Sequence, residues 1–483
     1  MVETGTAAGQ ASSALRRVLV PLALAQFICS FAGSNMNVMI NDISEDLDTT
    51  VTGVQTTITL FLLIMAIFMI PASKLSDRWG RKRCFTAGLL LYGLGALVSA
   101  LSPGLGVLIL GNSVLEGIGT ALLIPPVYIL TTLAFTDLTS RAKAFGIISG
   151  MAGLGAAAGP LIGGLITTGI SWRAAFVFQA GVVATIIFLS RRIEDPIPAD
   201  PTRPFDTVGA ILSAVGMFFV VFGILQADND PALMAVLLVV GAGFLLWFFL
   251  NIRARERAGR EPLLSTGLFR NRLSNLGLVT QNIQWLLLMG TSFVVAVFLQ
   301  TVRGYNAIET GVIFTSATVG ILVASLAAER LAKRRSQKTS IAGGFVVTLA
   351  GIGALLGLVG ASSNVIAFAP GLLLIGLGLG VMLTPSVNLV QSAFPEELQG
   401  EISGLSRSVS NLGSSFGTAI AGTILVSDLA SGNDSYVFAM VVLAAFALVG
   451  LAAAIFLPAN PEQRGVPTKV IAPDALDTAT QHG

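Results

Sequence analysis

Fourteen apolar runs of about twenty residues follow one another between positions 18 and 457, and nearly all charge is confined to the short stretches between them. A helix needs about 20 apolar residues to cross the hydrocarbon core of a bilayer, so each run reads as one membrane span. The candidate spans are 18–40, 53–73, 84–103, 106–130, 144–168, 173–190, 207–226, 232–252, 273–299, 308–330, 339–360, 364–390, 400–427 and 436–457. A soluble domain carries roughly a quarter of its residues charged. Here 11% of 483 residues are charged and 54% are hydrophobic, so most of the surface has to face lipid. The first run, after Arg16 and Arg17, reads as a retained span because patterned apolar sequence continues beyond it.

Basic residues set the orientation. Of 28 Lys and Arg, Arg173 and Arg303 fall beside loops on one face, Arg407 lies inside a span, and the others gather at the opposite face or the termini. The positive-inside rule makes that face cytoplasmic. An even number of spans then puts both termini in the cytoplasm; the expected location is the inner membrane of a bacterium. No loop is long enough for a soluble catalytic domain, and there is no G-x-x-x-x-G-K-[ST] phosphate loop. The only histidine is His482, and Cys29 and Cys84 sit in or beside apolar spans without metal spacing. With a net charge of +2 and no basic patch, nothing suits nucleic acid. The sequence therefore predicts no enzyme, no cofactor and no metal. It leaves a carrier, a channel or a structural membrane subunit.

An internal repeat favours the carrier. Offset by 258 residues, "GLGAAAGPLIGGLI" (153–166) aligns with "NLGSSFGTAIAGTI" (411–424), pairing Gly155 with Gly413, Gly159 with Gly417 and Gly164 with Gly422. Glycines at this spacing let helix backbones approach closely. Two related six-span halves, 1–192 and 263–460, separated by a linker with two additional spans (193–262) and followed by a cytoplasmic tail (461–483), fit the count. Halves of this kind hold a substrate site between them near the midplane. Asp206 reads as the helix N-cap of the first additional span.

"SKLSDRWGRKR" (73–83) resembles the loop between spans 2 and 3 of the major facilitator superfamily, G-x-L-x-D-R-x-G-R-[RK], with Ser73 in place of the first glycine. "GLGAAAGPLIGG" resembles the span 5 motif of its antiporters, matched by Gly155, Gly159, Pro160, Gly163 and Gly164. "SWRAAF" (171–176) resembles the start of span 6 in the fourteen-span drug:proton antiporter branch. The resemblance implies an all-α membrane fold and alternating access, with Asp77, Arg78, Gly80 and Arg81 as a latch that breaks in each cycle. It also implies a cavity lined by spans equivalent to 1, 4, 9 and 12. The chain departs from the branch at two places. In span 1 Ala32 stands where an acid is usual, and in span 4 Ser113 and Glu116 stand where arginine and glutamine are usual.

Glu116 is thus an acid alone in an apolar run, with no Lys, Arg or His within twenty residues. A charged acid at a span centre costs about 2.5–3.5 kcal/mol on insertion scales. Asn112, Ser113 and Thr120 lie three or four positions away, on its helix face. Glu116, with Asn112, Ser113 and Asn37, is the candidate for binding a proton or substrate; the plain alternative is a carboxyl that only cross-links helices. Gln26, Ser30, Ser34 and Asn41 on span 1, Thr120 on span 4, Gln281 and Gln284 on span 9, and Arg407 on span 13 are candidate cavity residues. Glu116 is the only acid at comparable depth that Arg407 could meet; the alternative is that Arg407 reaches back to lipid at the cytoplasmic face. The leading expectation is a monomeric, proton-coupled exporter of amphipathic small molecules or drugs. The alternatives are a uniporter or importer of a polar metabolite, and a non-transporting receptor or assembly subunit.

Overall fold

A computed structural model describes residues 18–135, 138–195, 199–202, 204–226, 230–361, 365–394, 398–426 and 433–458. The tail 461–483 and Arg16–Arg17 lie outside the described residues. The long helices are α1 (Val20–Asn35), α3 (Val51–Trp79), α4 (Arg81–Ala100), α6 (Gly117–Ala134), α7 (Leu138–Gly169) and α8 (Trp172–Ser190), followed by α9 (Thr207–Leu225) and α10 (Pro231–Arg257). The second half contributes α11 (Arg272–Val297), α12 (Ala307–Arg334), α13 (Gln337–Ala361), α14 (Phe368–Gln391), α15 (Gln399–Val426) and α16 (Asn433–Ile455). A short α2 (Ile40–Asp46) continues α1 at an angle, and α5 (Leu105–Leu108) leads through a π-helical stretch, Ile109–Glu116, into α6.

Among the described residues eleven helices are long and apolar enough to cross a membrane, or thirteen if two bent pairs each count once. One bend, of 69°, separates Val20–Val38 from Ile40–Asp46; the other, of 43°, separates Gly146–Ala156 from Ala158–Gly169. Pro160 explains the second, because it cannot donate to the carbonyl four residues back, at Ala156. The expected span at 400–427 is the one whose composition fails. Its helix, α15, has 28 residues, about 42 Å at 1.5 Å per residue, so length is not the obstacle. It is rich in serine because α3 and α11, rather than lipid, surround it.

The two halves meet along two seams, α3 against α15 and α7 against α12. The repeated glycines explain how. A Cβ at Gly155 would lie 2.3 Å from the Phe27 carbonyl oxygen of α1, and one at Gly413 would lie 2.2 Å from that of Asn282 in α11. Both positions pack a helix inside its own half. Gly164 instead meets the Ala307 carbonyl of α12, and Gly422 meets the Gln55 side chain of α3. Repeat-related glycines therefore do repeat-related work, first within a half and then across the seam.

Along the α3–α15 seam, Ser408 Oγ donates to the Ala66 carbonyl (2.7 Å), Ser415 Oγ to the Thr59 carbonyl (3.1 Å) and Gln55 Nε2 to the Ala419 carbonyl (3.3 Å). The additional helix α9 lies over this seam, with Val221 buried against Leu63 and Ile67 of α3 and beside Leu412 and Phe416 of α15. Its partner α10 leaves most of its apolar length exposed, so it faces lipid. Asp206 does cap α9, accepting from Gly209 N at 2.9 Å, and it also accepts from Leu263 N and Asn251 Nδ2. It thereby anchors the strap that leads from α10 into α11.

Candidate functional site

A cavity of about 40 Å³ lies between the halves. Its wall is built from Gln26, Cys29, Ser30 and Gly33 of α1, Leu62 and Met65 of α3, Ile124 of α6, Trp285 and Met289 of α11, and Arg407, Asn411 and Ser414 of α15. Positions 407, 411 and 414 recur at four and three residues, one face of a helix, so α15 turns its polar stripe inward. Of the four helices expected from the resemblance, α14 contributes nothing to this wall and α15 stands in its place. Here α14 directs Ser386 to Gln284 of α11 at 3.0 Å, and α15 carries the cation.

Arg407 does not meet Glu116, nor does it reach lipid. Its guanidinium lies over the Tyr128 ring, 4.5 Å from the centroid, and Nη2 donates to Tyr128 Oη. Tyr128 Oη is in turn 3.3 Å from Gln26 Oε1, and Gln26 Nε2 is 3.4 Å from Ser30 Oγ. A polar chain thus crosses from α15 through α6 to α1. Tyr128 is one of four tyrosines in the chain and was not among the sequence candidates. Its signal was the single aromatic ring of its span, one with a polar tip.

Glu116 lies elsewhere, fully buried in the first half and off the cavity wall. Gly95 and Gly111 bring α4 onto the π-helical stretch so closely that a Cβ at Gly95 would be 2.7 Å from Glu116 N. The carboxyl is 3.4 Å from Ser99 Oγ and 3.5 Å from Asn112 Nδ2. Bonds to a charged carboxylate are about 2.7–2.9 Å, and neither contact is that short. Ser99 has a single hydroxyl proton, and its better acceptor is the Gly95 carbonyl at 2.9 Å. Cys29, on the cavity wall, lies against Thr120, one helical turn from Glu116 on the same span.

The other candidates separate by place. Ser113 Oγ donates to the Thr57 carbonyl at 2.8 Å and ties the π-helical stretch to α3. Ser34 Oγ bonds back to the Ser30 and Phe31 carbonyls, where Gly159 makes room for it. Gln281 accepts from Ser406 Oγ at 2.8 Å, and Gln284 holds Ser386 and the Leu379 carbonyl, so both serve packing in the second half. Asn37 and Asn41 bridge the halves at the end away from most basic residues: Gln300 Nε2 donates to the Asn37 carbonyl (3.0 Å) and Asn41 N donates to Gln300 Oε1 (3.3 Å). Gln300 was missed because it falls just past the end of the span expected at 273–299.

At the basic end the cross-half bond is carried by Lys74, three residues before Asp77. Lys74 Nζ lies 2.8 Å from Glu261 and 2.9 Å from Glu401, and Glu401 also accepts from Ser265 N at 2.9 Å. The Asp77 side chain is outside the described residues. Gly80 joins α3 to α4 with φ +98°, a left-handed conformation that suits glycine. The start of α4 is held by Asp195, which accepts from Lys82 N at 3.1 Å. Arg78 is half-buried and Arg81 is buried.

The sequence matches the family model described as Major Facilitator Superfamily over residues 22–418, and again over 279–476. The chain belongs to the major facilitator superfamily. It is similar to the puromycin resistance protein pur8 of Streptomyces alboniger, 29% identical over 412 residues, 84% of this chain and 81% of that one. The tetracenomycin C resistance and export protein of Streptomyces glaucescens is 28% identical over 397 residues, 80% and 71% of the two chains. The multidrug efflux pump LfrA of Mycolicibacterium smegmatis is 27% identical over 399 residues, 81% and 77%. Among solved structures, a peptide transporter POT in complex with sulfate superposes with a TM-score of 0.65, covering 92% of this chain and 95% of that one. At 17% identity that likeness concerns the fold alone. As a superfamily member the chain is a multi-pass membrane transporter of small molecules and not an enzyme.

Proposed function

We propose that this transporter exports amphipathic small molecules by alternating access, drawing on the proton gradient and working as a monomer in the bacterial inner membrane with both termini cytoplasmic. Two six-span halves, 1–192 and 263–460, would move about the seams, with the two spans of 193–262 riding on one of them, fourteen in all. The observation that carries this reading is the cavity. It is lined by both halves, polar on one side and apolar on the other, with cross-half bonds at Gln300 toward one end and Lys74 toward the other. A volume of about 40 Å³ holds only a few waters, so a drug-sized solute fits only if the two halves part. The seam suits such motion, because Ser408 and Ser415 donate to carbonyls of α3 from side chains. Such bonds are worth only about 0.5–1.5 kcal/mol net each. The names of the relatives support export.

Glu116 is the group we assign to proton coupling, with Asn112 and Ser113 holding its helix and Cys29 between it and the cavity. In this conformer the long contacts to Ser99 and Asn112 suit a neutral carboxyl. Opening would let water reach it past Cys29 and Thr120 and take the proton. One proton falling through 100 mV yields about 2.3 kcal/mol, enough for a solute gradient of roughly fiftyfold. The loss of the span 1 acid at Ala32 favours a second reading, a uniporter.

Proteoliposomes decide between them. An imposed pH gradient is expected to concentrate an amphipathic dye in vesicles bearing the wild type. Glu116→Gln, which keeps size and hydrogen bonding, is expected to lose gradient-driven accumulation by more than tenfold while dye exchange at equal pH continues. Dye equilibration that ignores the gradient in the wild type would establish uniport, and an unaffected Glu116→Gln would remove Glu116 from coupling.

A further inference from the structure

We infer that the cavity between the halves is a site for organic acids, in which Arg407 and Asn411 take the anionic head of an aromatic amphiphile and Trp285 and Met289 take its body. This names the substrate class of the transport site and so rests on the reading above. Among the described residues the guanidinium is the only charged group on the cavity wall, and no carboxylate pairs with it. Arginine offers five N–H donors in a planar fork that matches a carboxylate, and one of these is spent on Tyr128. A cation held between two halves of a protein normally has a counter-charge, because leaving one unpaired in a low dielectric is costly. Here the counter-charge is left for the ligand to supply.

A second, independent feature points the same way. Asn411, one helical turn from Arg407, is nine-tenths buried on the cavity wall, and its Nδ2 has no acceptor. A buried donor without an acceptor costs about as much as a lost hydrogen bond, and a carboxylate or phenolate at Arg407 has lone pairs to satisfy both. Across the cavity, Trp285 and Met289 sit one turn apart on α11 and present an aromatic ring and a polarisable thioether. The site therefore offers donors on one side and an apolar wall on the other. A cationic amphiphile would meet Arg407 with like charge and find no acid on the wall to offset it.

The test uses three probes that share a pyrene ring and differ in the head group: 1-pyrenebutyrate, 1-pyrenebutanol and pyrenebutyltrimethylammonium. Equilibrium dialysis against the purified full-length protein is expected to rank them in that order, the carboxylate at least tenfold tighter than the ammonium. Arg407→Gln is expected to erase that ratio and Arg407→Lys to retain part of it. Equal or tighter binding of the ammonium by the wild type would overturn the inference, as would failure to bind any of the three. The wild-type ranking stands whether or not Arg407→Gln folds. If the ranking holds while a pH gradient drives nothing, only the coupling proposal falls. If gradients drive cationic dyes and the carboxylate does not bind, only this inference falls.

Discussion

Glu116 and Arg407 are both charge-bearing side chains buried in helices of a membrane protein, yet the molecule treats them in opposite ways. Around Glu116 the helices close in. Gly88, Gly95, Gly111 and Gly119 bring α4 within contact of the span that carries the acid, and the carboxyl has zero exposure. Around Arg407 the helices stand apart, and the guanidinium shares its cavity with amides, hydroxyls and a tyrosine. In this conformer the acid is packed inside one half, and the base lies where two halves meet. Burial alone says little about a charged group's role; what decides is whether the surrounding packing can part.

The sharpest way to break this contrast is to place the wrong charge at each position. Glu116→Lys puts an ammonium among Ser99, Asn112 and glycine backbones with no acid nearby, an uncompensated charge worth about 3–5 kcal/mol. It should fail to accumulate in the membrane as monodisperse protein by size-exclusion chromatography. Arg407→Glu should accumulate normally, because Tyr128 Oη can donate to the new carboxylate, and it should reverse the ranking of anionic and cationic probes in dialysis. Equal expression of the two would remove the distinction between sealed and open sites.

A smaller effect is expected from glycine. A Cβ at Gly95 would lie 2.7 Å from both Glu116 N and the Gly111 carbonyl oxygen, whereas one at Gly33, on the cavity wall, would find nothing nearer than 3.7 Å. Overpacking costs about 1–3 kcal/mol. Thermal unfolding followed by intrinsic fluorescence should therefore shift down for Gly95→Ala and stay put for Gly33→Ala. Cysteine labelling sharpens the contrast further. Cys29 lines the cavity and Cys84 does not, so a maleimide should modify Cys29 at least tenfold faster in transporting vesicles, and a bound aromatic acid should slow it. The smallest change is expected on the seam. Ser415→Ala removes one side-chain bond to the Thr59 carbonyl, about 0.5–1.5 kcal/mol, and should alter transport rate by less than about tenfold.

Particular residues mark how far the sequence could be read. Apolar length placed the spans, and serine at 406, 408, 410, 414 and 415 hid one of them from a hydropathy criterion while its 28-residue helix kept its length. Gly155 and Gly413 were legible as a repeat because close helix packing leaves a fixed spacing. Asp206 was legible as a cap because capping is local. Arg407 and Glu116 were legible as exceptions in apolar runs, but their surroundings were not. Tyr128 is 279 residues from Arg407 along the chain, and Lys74 is 327 from Glu401. Nothing local encodes such pairs.

The sequence by itself determined that this chain lives in a bilayer, that it is built from apolar helices with a repeated glycine pattern, and which few polar groups those helices carry inward. These follow from properties each residue has alone or with neighbours one helical turn away: transfer free energy, backbone freedom and periodicity. Tertiary structure decided which of those polar groups share a space. It turned Arg407 to Tyr128 rather than to Glu116, closed the ends with Gln300 and Lys74, and brought α15 instead of α14 to the cavity wall. Those outcomes depend on how far apart two packed helices stand, a distance set by side chains on both of them at once.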